Sequence, residues 1–381
     1  MGCAVHPNCG GCDFRDLELN TYQKQKEQNI RKLLEENLGD LEGKWCAPKF
    51  LPDGLRRRAS FAFEFRNQKV VLGFNENKSK YITDLSSCFM LSKKLNGTLP
   101  VLRDFLTELC AVQVLKKQKG KKFLTFQILS GDLLVLEAQN GIDIVLETDA
   151  DLLLEHRQLI FDFMNQYDDF IRFSWRKKHA QTAEPIIEKA KPFIRICQTD
   201  VFVAPGDFLQ PSKEGEKTLV DLVLKYVGQT RGKMADLFCG IGTFSYALCA
   251  LDKTEVLAVD VSKSLLEGFE KSIHKQMISN VKILQKNLFL YPLTGEELKG
   301  TNVIVFDPPR AGAKEQVKEF CLIDEKNRPQ KIIAVSCNPL TFARDAKMLI
   351  NGGYKIESLT MVDQFVYSEH SEIVCLFTNG K

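Results

Sequence analysis

At 381 residues, 44% hydrophobic and 27% charged, the chain has the make-up of a globular protein with room for two or three cores. A net charge of +3 does not by itself mark a nucleic-acid binder, and no apolar run approaches the length of a membrane span. Twelve cysteines and no opening secretion signal point to a reducing compartment, the cytoplasm, with metal or catalytic roles for some thiols.

Cys3, Cys9 and Cys12 open the chain in a C-x5-C-x2-C pattern, with Gly10-Gly11 letting the backbone fold tightly between the last two. Three thiols so close in sequence call for a metal centre and a fourth ligand, and Cys88, after the polar lead-in Asp84–Ser87, is the best candidate. Zinc and an iron–sulfur cluster both accept four cysteines; without a second C-x2-C pair the spacing favours a 4Fe–4S cluster. Residues 16–38 predict an amphipathic helix with Leu17, Leu19, Ile30, Leu33 and Leu34 on its apolar side.

Short strands follow from about Trp45. Phe61–Phe65 alternates, Asn67-Gln68 offers a turn, and Val70–Phe74 continues. A helix around residues 90–111 precedes Phe123–Ile128 and Leu133–Ala138, which read as hairpin partners. Residues 45–205 thus form one α+β region, with the cysteine segment and helix of residues 1–44 stapled to it through Cys88. Basic residues cluster at Arg56-Arg57-Arg58, at Lys116, Lys117, Lys119, Lys121 and Lys122, and at Arg176-Lys177-Lys178. Such clusters can neutralise phosphates, although the lysine run reads equally well as a solvated hairpin turn. The triple arginine says more, because it lies between apolar segments.

Beyond Ala204-Pro205-Gly206 strands and helices alternate: a helix over 213–228, then strands at Lys233–Phe238, Val256–Asp260, Val281–Leu284, Val303–Phe306 and Ile332–Val335, with Phe365–Phe377 closing the chain. This pattern predicts an α/β, doubly wound Rossmann-like parallel sheet with right-handed crossovers over residues 206–381. Asp236–Gly242 is a strand-to-helix turn with two glycines, but Ser245 stands where a dinucleotide fingerprint has its third. Asp260 ends the next strand, where a carboxylate can hold ribose hydroxyls. Together they suit an adenosyl ligand without a pyrophosphate, such as S-adenosylmethionine. Asp307-Pro308-Pro309 resembles the fourth motif of many methyltransferases, with Arg310 in place of the aromatic residue of the adenine amino-methylating enzymes. Ser336-Cys337-Asn338 ends an apolar, β-branched run, and ligands in open α/β sheets collect beyond such ends, so Cys337 is placed to react.

Taken jointly, the C-x5-C-x2-C start, the distant Cys88, Phe208-Leu209-Gln210, Asp236–Gly242, Asp307–Arg310, Ser336-Cys337-Asn338 and Phe365–Glu372 resemble the RNA uracil-5 methyltransferases, makers of 5-methyluridine in tRNA and 23S ribosomal RNA. The cysteines begin at residue 3, so the resemblance is to the shorter, rRNA-modifying branch lacking the oligonucleotide-binding TRAM domain. The bacterial tRNA branch lacks the cysteine cluster, which tilts the expected partner toward 23S rRNA, with tRNA as the alternative. No membrane or obligate protein partner is implied.

The resemblance implies S-adenosyl-L-methionine and a 4Fe–4S cluster as cofactors. It makes Cys337 the nucleophile and Glu372 the general base, and places Gln210, Phe238, Thr243, Asp260, Asn287 and Asp307 against S-adenosylmethionine. Cys3, Cys9, Cys12 and Cys88 become the cluster ligands. Ser212 and Thr243 stand where the family often has Asn, and Val366 replaces the Pro of a Phe-Pro-x-Thr-x-His-x-Glu signature whose polar positions Ser368, His370 and Glu372 remain. His370 reads as structural, since Glu372 already supplies the base. Carbon 5 of uracil is a poor nucleophile; a thiolate adding to carbon 6 activates it, and a base then removes the carbon-5 proton. Two rivals are RNA cytosine-5 methylation, disfavoured because Asp307–Arg310 holds no cysteine, and a non-catalytic iron–sulfur RNA-binding protein, disfavoured by the pair Cys337 and Glu372.

Overall fold

The computed structural model describes residues 3–117 and 123–379; Lys119, Lys121 and Lys122 of the expected basic run lie outside them. Two compact units share the chain by interruption. Met1–Asp16, Pro52–Ile194 and Val203–Ser212 make the first; Leu17–Leu51, Arg195–Phe202 and Lys213–Lys381 make the second.

Helix α1 (Leu19–Leu38) and the short β1 (Lys49–Phe50) come early in the chain yet belong to the second unit. The sequence joins this helix to the cysteine segment, but α1 packs on the last helix of the second unit. Its buried stripe runs at four-residue spacing through Tyr22, Lys26, Ile30 and Leu34, one helical face. Leu19, expected on that face, is 49% exposed, and a lysine takes a buried place instead.

The first unit is built on a seven-stranded sheet. β2 (Arg58–Arg66) and β3 (Lys69–Asn75) form the expected hairpin, with Asn67 and Gln68 both at positive φ, as a two-residue turn between twisted strands requires. β4 (Ile82–Asp84) extends it, and α2 (Lys93–Ala111) follows, capped by the Ser92 hydroxyl on the Leu95 amide. β5 (Val114–Lys117) then pairs with β6 (Phe123–Phe126). β7 (Ser130–Ala138) lies between β2 and β8 (Gly141–Thr148), and α3 (Leu154–Gln166) crosses over to a parallel β9 (Phe170–Lys177), with β10 (Glu184–Glu188) at the edge.

The hairpin expected between Phe123–Ile128 and Leu133–Ala138 therefore does not form. Gly131, which breaks that apolar run, sits inside β7, where a Cβ would press 2.9 Å from the Phe63 ring and strike the Glu147 carbonyl. Alternation in β2 turns Phe61 and Phe63 into a core they share with Leu95, Leu99, Leu102 and Phe105 of α2.

The chain then runs through the ribbon β11 (Phe193–Ile196) and β12 (Thr199–Phe202) into α4 (Lys213–Val227). In the second unit β13 (Gly232–Leu237), α5 (Thr243–Cys249), β14 (Thr254–Asp260), α6 (Lys263–Lys275), β15 (Val281–Gln285), β16 (Thr301–Phe306), α7 (Lys314–Leu322), β17 (Lys331–Ser336), α8 (Pro339–Asn351), β18 (Lys355–Asp363) and β19 (Glu372–Thr378) build an eight-stranded sheet. Its order is β1-β18-β19-β17-β16-β13-β14-β15. β13 to β17 are mutually parallel, as the alternation predicts, but β19 runs antiparallel to both β17 and β18, so the sheet is mixed. The reason is length: a parallel return needs a crossover of about a dozen residues or more, and only the loop 364–371 separates β18 from β19. That short loop turns the chain back and brings Glu372 to the carboxyl end of β17. Among the described residues no helix is long and apolar enough to cross a membrane.

Candidate active site

Two clusters of chemistry-bearing side chains lie at the carboxyl ends of the second unit's parallel strands. The first surrounds the turn after β13. Asp236 is fully buried; its Oδ2 accepts from Ser245 Oγ at 2.6 Å, and its Oδ1 is buried without a hydrogen-bond partner. Burial, reinforced by the charges of Asp307 and Asp260 and opposed by Ser245, pushes its carboxyl up to about 7.

Phe238, Gly240 and Gly242 all have positive φ. At Gly242 a Cβ would meet the Phe269 ring at 2.7 Å, so only glycine lets α5 start there. At Gly240 the nearest atom a Cβ would meet is 4.0 Å away, on Leu265, leaving open space above the backbone. Asp260 holds this turn: Oδ2 accepts from the Gly240 amide at 2.9 Å and Oδ1 from the Ser262 amide at 2.8 Å. Each carboxylate oxygen keeps a lone pair for a ribose hydroxyl. Asn287 closes its own turn, Oδ1 accepting from the Phe289 amide at 3.0 Å, and the Phe289 ring packs 5.4 Å from that of Phe238. Thr243 is the first residue of α5. The open backbone over Gly240, the orphaned Asp236 oxygen and the Asp260 carboxylate fit an adenosyl group without a pyrophosphate.

The second cluster is built by register. Ser336 pairs with Ile373 across β17 and β19, so Cys337 and Glu372 follow at neighbouring strand ends, and Asp307 directly follows β16. The Cys337 thiol is half-buried; burial first, then the charges of Glu372 and Asp307, push it up to about 11, while Arg310 opposes them. Burial also raises the Glu372 carboxyl, with Asp307's charge adding to it, and the amide of Gln364, 3.0 Å from Glu372 Oε1, pulls the other way. Asp307 is raised by burial as well. Arg310 is steadied on both sides: its Nη2 lies 2.9 Å from His370 Nε2, and its carbonyl accepts from Asn338 Nδ2 and Thr341 Oγ1.

Gln210 belongs to the first unit, unlike the other expected cofactor residues. It is buried, and its carbonyl accepts from Arg57 Nε at 3.1 Å; the neighbouring Leu209 carbonyl accepts from Arg58 Nη1 at 2.9 Å. Arg58 stacks 5.1 Å over the Phe208 ring. Two of the three clustered arginines thus brace the segment 208–210 rather than standing free for phosphates.

The first unit also gathers the four expected metal cysteines. The Cys9 amide donates to Val5, the Gly10 amide to Asn75, and a Cβ on Gly10 would meet the Asn75 carbonyl at 2.7 Å, so the glycine lets Cys9 lie against the loop after β3. Asn96 of α2 clamps the backbone of Cys88 from both sides, accepting from its amide at 2.8 Å and donating to its carbonyl at 2.9 Å. Burial raises the thiols of Cys9, Cys12 and Cys88, Cys12 to about 12, and each is raised further by another of the four. Amide hydrogens of Met90 and Leu91 on Cys88, of Gly11 on Cys9, and the guanidinium of Arg56 on Cys12 and Cys88 oppose this. Arg56 Nε is itself buried with no partner.

Among the described residues no three such side chains converge closely enough to hold a metal ion. Zn–S bonds of about 2.3 Å would draw four thiols to roughly 3.8 Å of one another; a cluster, being larger, spaces its thiols more widely. The electrostatic contact among these thiols, the amide hydrogens on Cys9 and Cys88 and the unpartnered Arg56 Nε fit an anionic centre bound through thiolates.

Sequence reasoning missed Gln364, Arg310's place at Cys337, and the buried pair Lys26 and Asp363. Gln364 sits directly after a strand that ends in Asp363, a signal that was available; Lys26, one lysine in a helix full of them, gave none.

The fold is that of the S-adenosylmethionine-dependent methyltransferases: the chain superposes on the tRNA (uracil-54, C5)-methyltransferase of Pyrococcus abyssi in complex with S-adenosyl-L-homocysteine with a TM-score of 0.72, at 22% identity, covering 98% of this chain and 86% of that one. The sequence profile of the tRNA (uracil-5-)-methyltransferases matches residues 199–379. An uncharacterised RNA methyltransferase of Brucella suis is 34% identical over all of this chain and 84% of its own. The 23S rRNA (uracil(1939)-C(5))-methyltransferase RlmD of Shewanella piezotolerans is 27% identical over 100% of this chain and 82% of its own. The chain belongs to the RNA uracil-5 methyltransferase family, enzymes that move a methyl group from S-adenosylmethionine to carbon 5 of uracil in RNA.

Proposed function

We propose that this enzyme methylates carbon 5 of one uridine in 23S ribosomal RNA, with Cys337 as nucleophile and Glu372 as base. The observation that carries the chemistry is the thiol of Cys337 facing the carboxyls of Glu372 and Asp307 at three adjacent strand ends. Support for the RNA comes from RlmD relatives of Shewanella piezotolerans and Erwinia tasmaniensis, 27% and 28% identical over nearly the whole chain. We place it with its RNA in the cytoplasm, where cysteines that form no disulfide stay reduced.

The Cys337 thiolate adds to carbon 6 of the flipped-out uracil, giving an enolate whose carbon 5 is nucleophilic. Bound S-adenosylmethionine supplies the methyl group as an electrophilic sulfonium. Glu372 then takes the carbon-5 proton, the electrons restore the 5,6 double bond, and the bond from carbon 6 to sulfur breaks to return the thiolate. Arg310 stabilises that thiolate against the two carboxylates. Phe238, Thr243, Asp260, Asn287 and Asp307 hold the cofactor, with the Gly240 turn giving its close approach. Cys3, Cys9, Cys12 and Cys88 hold a 4Fe–4S cluster, with Arg56 as its counter-ion, that shapes the RNA-binding first unit.

Mass spectrometry of rRNA and tRNA from cells lacking the gene tests this reading. Loss of 5-methyluridine at a single 23S site is expected; loss in tRNA alone would overturn the choice of RNA, and loss nowhere would overturn the function.

A further inference from the structure

The loop 364–371 leads into Glu372, and within it the Ser368 amide and hydroxyl both donate to the Phe365 carbonyl. What ties it to the rest of the unit is α1, from the other end of the chain. Lys26 is 4% exposed, and its Nζ donates to Asp363 Oδ1 at 2.6 Å, to the His370 carbonyl at 2.7 Å and to the Phe365 carbonyl at 3.4 Å. Tyr22, one turn earlier, donates to Asp363 Oδ2 at 2.6 Å and accepts from the Tyr367 amide at 2.7 Å. The rings of Tyr22 and Tyr367 stack, centroids 4.6 Å apart, with Tyr367 in the left-handed region at φ 60.

A non-glycine residue in that region persists only where its surroundings over-determine it. Both ends of the loop and its middle are therefore fixed by two side chains of one helix. A buried ion pair of this kind gives little net stability, because desolvation offsets the attraction, and its best-attested use is to fix register. Here the register fixed is that of the loop carrying Gln364, which donates to Glu372 Oε1, and His370, whose ring meets the Arg310 that faces Cys337.

We infer that Lys26, with Tyr22, is a positioning residue for proton removal: it sets the loop whose Gln364 holds Glu372 and so aims that carboxylate at carbon 5. The inference rests on Glu372 being the base. A buried lysine with no reach to the substrate thereby controls the second half of the reaction rather than the first.

The test uses the full-length enzyme with S-adenosylmethionine and total RNA from cells lacking the gene. Steady-state methylation, the covalent RNA–protein adduct on a denaturing gel, and thermal unfolding are read for wild type, Lys26→Met, Tyr22→Phe and Glu372→Gln. Misplacing a reacting group by about 1 Å costs on the order of 10²-fold in rate, so Lys26→Met is expected to lose about that much kcat. KM for both substrates should change little and the adduct should accumulate, since addition by Cys337 is intact while elimination stalls. Tyr22→Phe, a milder change that keeps the ring stack, should show the same signature to a smaller degree and covers the case that Lys26→Met fails to fold. Parallel loss of adduct and turnover in the folded variants, or unchanged kcat, would overturn the inference. Glu372→Gln separates the two readings: if it accumulates adduct and the α1 variants do not, positioning fails; if it does not accumulate adduct, the base assignment itself fails.

Discussion

The thiol of Cys337 faces two carboxyls, Glu372 and Asp307, opposed by Arg310 and its own backbone amide, whereas the thiols of Cys12 and Cys88 face other thiols and the guanidinium of Arg56. Both settings raise the thiols, yet they do so for different ends. Beside carboxyls the Cys337 thiol holds its proton more tightly than a free thiol does, and Arg310 pulls the other way. Among thiols and guanidiniums, protons leave together when a positively charged centre takes their place, so deprotonation and metal binding become one event. The two settings differ in what faces each sulfur: carboxyls and a guanidinium at Cys337, other thiols and a guanidinium at Cys12 and Cys88.

Removing Cys337 should break the comparison most visibly. Cys337→Ala is expected to lose at least about 10⁴-fold in turnover, the scale seen when a covalent nucleophile is deleted, together with every trace of RNA adduct on a denaturing gel. Next in size, Cys88→Ala should abolish bound iron, measured by metal analysis and visible absorbance, and lower the unfolding midpoint by several degrees. Single-turnover methyl transfer at saturating RNA should stay near the wild-type rate, because no step of the chemistry uses the cysteine corner.

The smallest effect concerns stability. Asp236, Asp307 and Glu372 all bind a proton more tightly in the folded chain than the ordinary carboxyl does, through burial. Their contribution is therefore fully present at acid pH, below about 4, and is lost as pH rises through the folded values, which for Asp236 is about 7. Glu372→Gln removes one of these protons from the balance. Unfolding midpoints measured from pH 5 to 9 should converge at the acid end and favour the variant at the alkaline end, where the wild type must bury a charge; midpoints favouring the wild type there would refute the assignment.

Much of the second unit was legible in the chain, because four of its five parallel strands are apolar runs followed by a helix, and each of the four ends at or beside a residue with chemistry: Asp236, Asp260, Asp307, Cys337. Periodicity cannot report strand direction, so β19 was expected to continue a parallel sheet; the brevity of 364–371 was the clue. The β2–β3 hairpin could be read because Asn67-Gln68 states its turn locally, while the partners of β6 and β7 could not, since Gly131 looks the same in a strand as in a turn. In α1 the pattern favoured Leu19 over Lys26, because hydrophobic periodicity has no means of seeing a buried cation whose partner lies at Asp363.

That partner is 337 residues away, and the separation shapes how the protein is made. A ribosome adding about 5–20 residues per second delivers α1 roughly 20–70 s before the segment that pairs with it. For that interval Tyr22, Ile30 and Leu34 have no sheet to cover, while the whole of the Pro52–Ile194 stretch emerges and can collapse on its own. The nascent chain spends its longest wait with its first helix unclaimed, which makes this helix the place where a chaperone or an early misfolding event would take hold.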